Sequence, residues 1–240
     1  MKILKKLFLP LSLFCFLIAF SSCNKEDNEI EFVGFGTVEN YGTVINIDVK
    51  EGEEPLYLRG TMLNSMLLSD GQRVFVYGTI DKDNQTEDNK AMLTNFIMIN
   101  PFPTLSLNSA SSVFQSEQFL TVYEPWVTYN DAGNDIITIH CEALLENNEN
   151  FTYFVKASQA APYNEGDSEL NINFMLEIES EVNEGYRSPI FRSIELPFGA
   201  NNNPGKPINI KIKCNTQSAP DCSNYDGVND IITITYNREK

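Results

Sequence analysis

The chain has 240 residues, 42% of them hydrophobic and 21% charged, which is the make-up of a folded protein and not of a disordered or collagen-like one. Its 33 acidic against 17 basic residues give a formal net charge of −16, which argues against a nucleic-acid binder, because affinity for phosphate comes mainly from Lys and Arg. With His140 as its single histidine, a zinc hydrolase site or a His-based triad is improbable.

Residues 1–22 have the layout of an export signal. Lys2, Lys5 and Lys6 form a basic start, and Leu7 to Phe20 is apolar apart from Pro10 and Ser12. That stretch is shorter than the about 20 residues needed to cross a bilayer. Ser21-Ser22-Cys23 resembles the lipobox of bacterial lipoproteins, with Phe20 where Leu is commoner. The resemblance implies that Cys23 becomes the new N-terminus and carries acyl chains, each buried CH₂ adding about 0.8 kcal/mol of membrane attachment. Residues 23–30 read as a solvated acidic tether. Within it, Lys25-Glu26-Asp27 also resembles the surface-export signal of Bacteroidetes lipoproteins. Loss of residues 1–22 removes three lysines and no acid, so the mature charge is three units below −16, at −19.

The rest of the chain alternates with period two, the mark of half-buried strands. Five strands are predicted in residues 31–100: Phe32–Val38, Thr43–Val49, Leu56–Arg59, Arg73–Ile80 and Met92–Ile99. Tyr41-Gly42 and Asp70-Gly71 mark tight turns, and Leu63–Leu68 has room for one helical turn. Val74, Val76 and Ile80 fall on one side of their strand, opposite Phe75, Tyr77 and Thr79. Five short strands in so little chain suggest a small OB-like barrel, since closure disposes of edges. Pro101-Phe102-Pro103 interrupts the pattern and marks the domain boundary.

Residues 104–240 predict seven strands: Trp126–Tyr129, Asp135–Leu145, Phe151–Ala157, Glu169–Glu179, Ile190–Leu196, Pro207–Cys214 and Asp230–Asn237. In the fourth, Leu170, Ile172, Phe174, Leu176 and Ile178 share a face, and Asn171, Asn173, Glu177 and Glu179 are assigned to water. The fold class is therefore all-β, a five-stranded barrel followed by an immunoglobulin-like two-sheet sandwich.

Cys15 leaves with the signal, and Cys141, Cys214 and Cys222 remain beside the lipidated Cys23. Export permits disulfides, and an odd number leaves one thiol free. Cys214 and Cys222 enclose seven residues including Pro220, which suits a strand-to-loop bridge. The competing pair is Cys141 with Cys214, because each continues an inward series, Ile137 and Ile139 in one case and Ile208, Ile210 and Ile212 in the other. None has the spacing of a redox or metal motif.

Gly133 to Ile139 is echoed by Asn229 to Ile234, which places Asp131 and Asp135 in correspondence with Asp226 and Asp230. These four are weak calcium candidates, since calcium takes six to eight oxygens from a converging loop and neither segment has EF-hand spacing. Asp and Asn in turns also bond their own backbone. His140 is assigned to the surface side of its strand and Trp126 to the end of the sandwich core. No nucleophile elbow, phosphate loop or zinc-protease motif occurs, so no catalytic residue and no cofactor is nominated. Glycoside hydrolysis needs only two carboxylates, which keeps an exported hydrolase as an alternative, beside a glycan-binding protein.

The lipobox, the glycines of the first hairpin (Gly34, Gly36, Gly42), Asp70-Gly71-Gln72-Arg73-Val74 and the Trp-led second half together resemble the NigD-like lipoproteins of Bacteroidetes. The resemblance implies an OB-type N-terminal domain, a C-terminal β-sandwich and an association with bacteriocins, and it carries no site residues. The expectation is an outer-membrane lipoprotein, surface-exposed, non-enzymatic, held in the membrane through Cys23 and facing an extracellular protein or glycan.

Overall fold

The computed structural model describes residues 29–48, 56–86, 90–107, 115–129, 134–146, 151–179, 182, 185–199, 206–217, 225–226 and 230–237. The first five strands are β1 (Glu29–Glu39), β2 (Val44–Ile47), β3 (Leu56–Arg59), β4 (Arg73–Thr86) and β5 (Lys90–Phe102), with a 3₁₀ turn at Thr61–Ser65 between β3 and β4. They close into a barrel in the order β1-β2-β3-β5-β4, with β4 returning to β1 and β3 parallel to β5.

Alternation makes this barrel. Phe32, Val38, Ile45, Ile47, Leu58, Val74, Val76, Ile80 and Leu93 point inward and are buried together with Leu63 of the 3₁₀ turn. Gly36 lets the backbones of β1 and β2 come close, since a Cβ there would lie 2.6 Å from the Asn46 carbonyl oxygen. Asn40, Tyr41 and Gly42 all have positive φ at the β1–β2 turn, and the glycine's amide donates to Asp70 Oδ1 at 3.1 Å.

β4 and β5 are longer than the alternation predicts. They pair on to Thr86 and Lys90, past Asp81, the last residue of β4 that also pairs with β1. Pro101 lies inside β5 opposite Val74 and does not end the strand. β3 pairs with β5 only at residues 90–92, so no third strand needs the missing N–H at that point.

The second half holds β6 (Thr104–Leu105), β7 (Gln115–Glu117), β8 (Thr121–Val122), β9 (Trp126–Thr128), β10 (Asn134–Glu146), β11 (Tyr153–Gln159), β12 (Glu169–Ile178), β13 (Gly185–Gly199), β14 (Ile208–Cys214), β15 (Tyr225–Asp226) and β16 (Ile231–Tyr236). One sheet runs β6-β13-β10-β8, with β9 also on β10. The other runs β11-β12-β14-β16-β15, with β7 also on β12. The chain leaves the second sheet after β12, traverses the first as β13 and returns as β14. That crossover makes β12 and β14 parallel. Ile137, Ile139, Cys141, Ala143, Leu170, Ile172, Phe174, Ile210, Ile212 and Cys214 are among the residues that fill the space between the sheets.

Glu177 is not on a water-facing site. It is buried, and its Oε2 pairs with Lys156 Nζ at 2.8 Å, because β7 and β11 flank it on both sides. At one end of the sandwich, Asp135 of β10 accepts a 2.6 Å hydrogen bond from the Tyr236 hydroxyl of β16, joining the two sheets.

Candidate functional site at the joint of barrel and sandwich

The most concentrated buried polar chemistry among the described residues lies where the barrel meets the sandwich. Asp70-Gly71 turns the chain, with Gly71 at φ +79°, and Arg73 opens β4 beside it. Arg73 stands opposite Thr37 of β1, and in the next outward-facing row Phe75 stands opposite Phe35. On the sandwich, Thr138 of β10 stands opposite Ser193 of β13, and in its next row His140 stands opposite Phe191. Two rows on one surface therefore meet two rows on the other, polar against polar and ring against ring.

Arg73 is fully buried, and its guanidinium has five N–H groups to satisfy. Nε donates to Ser193 Oγ at 3.2 Å. Nη1 donates to Thr37 Oγ1 at 2.9 Å and to Asp48 Oδ1 at 2.7 Å. Nη2 donates to Thr138 Oγ1 at 3.0 Å and to Asp48 Oδ2. All five are used, three on the barrel and two on the sandwich. The Asp48 carboxylate also accepts from the indole Nε1 of Trp126 at 3.0 Å, and Phe102 lies under the guanidinium with its centroid at 5.7 Å.

The ring row closes the joint on its other side. Phe35 packs on Phe75, Trp126 and Phe191 at centroid distances of 5.2, 5.0 and 5.0 Å. His140 is stacked between Tyr123 at 4.3 Å and Phe191 at 4.5 Å, and its Nε2 is buried with no hydrogen-bond partner. Burial pulls its pKa down to about 4, so the ring is neutral near pH 7.

Two expectations change here. His140 does face away from the sandwich core, but it is half-buried and not a surface residue: its ring is stacked between Tyr123 and Phe191, and its Nε2 is buried. Trp126 is not a plug in the sandwich core: its ring reaches the barrel and bonds Asp48. Alternation alone does not reveal the joint. The available signal was that β1 and β4 carry large apolar residues on both faces, Phe35 and Phe75 behind Val74 and Val76, and a strand apolar on both sides is covered on both sides.

Cys23, Lys25, Glu26, Asp27, Asp131 and Cys222 lie outside the described residues, as does the side chain of Asp226. Cys141 and Cys214 are buried free thiols. Asp135 is engaged with Tyr236, while Asp230 is exposed with a positive φ at the start of β16. Among the described residues no group of three or more His, Cys, Asp or Glu is placed to hold a metal ion.

No protein-family model matches the chain, and no curated protein matches it significantly. Solved structures do. A protein of unknown function, DUF1344, from Bacteroides vulgatus superposes with a TM-score of 0.53 at 12% identity over 88% of this chain and 92% of that one. A NigD-like immunity protein from Bacteroides caccae gives 0.49 at 14% identity over 87% and 97%. An uncharacterized protein from Parabacteroides merdae gives 0.45 at 13% identity over 85% and 94%. The Bacteroides vulgatus protein has the same fold.

Proposed function

We propose that this chain is an exported lipoprotein, held in the outer membrane by acyl chains on Cys23 and exposed at the cell surface as a non-enzymatic binding or accessory module. The NigD-like resemblance suggests bacteriocin-related protection of the producing cell as its setting. The observation that carries the membrane part is Ser21-Ser22-Cys23 at the end of a short apolar segment. What supports the non-enzymatic part is the commitment of the buried carboxylates. Asp48 is held by Arg73 and Trp126, Asp135 by Tyr236, and Glu177 by Lys156. A carboxylate pair that attacks a glycoside stands free at about 5–9.5 Å across a cleft. These acids instead tie strands or domains together.

The test is fractionation of cells producing the Cys23→Ala chain, with protease added to intact cells in parallel. The reading predicts that the wild-type chain sediments with outer membranes and is cut from outside, while Cys23→Ala leaves the membrane fraction. A Cys23→Ala chain that stays membrane-bound overturns the anchor, and a wild-type chain resistant on intact cells but cut after lysis overturns surface exposure.

A further inference from the structure

We propose that Cys141 and Cys214 form a disulfide that joins the two sheets of the sandwich in the exported protein. The two residues lie on opposite sheets and point into the same core, 0% and 1% exposed. One short segment ties their surroundings together. Phe119 bridges to Thr216, its amide donates to the Asn215 carbonyl at 2.9 Å, and its ring stacks at 5.1 Å on Phe174, the strand partner of Cys214. Three residues later Val122 is the strand partner of Cys141. The segment crosses from one sheet to the other here, closing the sandwich beside both cysteines. The two thiols also sense each other, since Cys214 opposes ionisation of Cys141.

A disulfide needs Cα atoms about 4.4–6.8 Å apart, whereas facing sheets average about 10 Å, so the bond fits only where sheets draw together. Ala143 follows Cys141 on the inner face of β10, and Ala157 lies in the strand row of Phe174 and Cys214. The reduced Cys141 thiol contacts the Ile190 carbonyl at 3.6 Å and must rotate away from it to meet Cys214.

Forming the bond removes one proton from each thiol and two electrons from the pair. A disulfide oxidant in the export compartment accepts the electrons and is itself reduced to two thiols. Burial raises both thiols, Cys214 to about 12 and Cys141 further, so neither yields thiolate in the folded chain. The bond therefore forms while the sandwich is still open, and closure shields it. Cys222 is left as the unpaired thiol.

The full chain, recovered from membranes, is alkylated in denaturant without reductant and peptide-mapped. A linked Cys141–Cys214 pair with alkylated Cys222 is the expected result. A Cys214–Cys222 link, or alkylation of all three, overturns the proposal. Cys222→Ser, which leaves both members of the proposed pair in place, keeps the link and shows a lower denaturation midpoint after reduction in denaturant. An unchanged midpoint in that variant contradicts the bridge.

Discussion

Arg73 and Asp48 belong to the same small barrel, yet the guanidinium that pairs with this carboxylate also holds Ser193 and Thr138 of the sandwich. The ion pair thus folds together with the domain interface. Removing one member leaves the other buried and uncompensated, which typically costs about 3–5 kcal/mol. Asp48→Ala and Arg73→Ala are expected to lose stability in that range by urea denaturation. Trp126, the single tryptophan of the chain and a ligand of Asp48, reports the joint by fluorescence. A loss under about 1 kcal/mol, the range of a surface pair, would show that the joint is solvated.

His140 gives the joint a pH dependence. Its folded pKa is about 4 against the ordinary 6.5, because burial disfavours the charged ring. Below pH 6.5 the unfolded chain binds a proton that the folded chain refuses, so this contribution to stability is full above 6.5 and is lost as pH falls towards 4. His140→Phe keeps the stacking on Tyr123 and Phe191 and removes the titration. Its stability is expected to fall less steeply than wild type between pH 6.5 and 4, measured by denaturation at each pH. Parallel slopes would mean that the ring titrates as if exposed.

Tyr41 has φ +59° and is 92% exposed at the tip of the β1–β2 turn. A left-handed backbone costs an L-residue about 1–2 kcal/mol, and Asn tolerates it better. Tyr41→Asn is expected to raise stability by about 0.5–1 kcal/mol, seen as a higher thermal midpoint. A lower midpoint would show that the tyrosine ring has a packing role.

Tyr236→Phe removes one donor from the buried Asp135 carboxylate while keeping the ring on Phe198 at 4.5 Å. The cost of leaving that acceptor short is about 1–3 kcal/mol. Asp135→Asn in the Tyr236→Phe background is expected to recover part of it, read from a double-mutant cycle. Additive losses would mean that the two groups do not interact.

The sequence carries the strands well where one face is apolar, as in β12, whose inward Leu170, Ile172, Phe174, Leu176 and Ile178 are all buried. It is silent where pairing rests on two or three residues, as in β7, β8 and β15, and where polar residues continue a hairpin, as in β4 past Asp81. The joint was illegible for a different reason. Arg73 finds its partners 25, 36, 65 and 120 residues away, and an arginine on the outer face of a barrel strand reads as solvated until a second domain covers it. The burial of Glu177 escapes the pattern on the same ground, since alternation assigns a face and not what covers that face.

Attachment through Cys23 underlies the whole functional account, and intact-mass measurement of the protein extracted from native membranes tests it most directly. The account predicts a chain beginning at Cys23 with acyl chains on its sulfur and amine. A chain that begins at Met1, or one with an unmodified thiol at position 23, would contradict it.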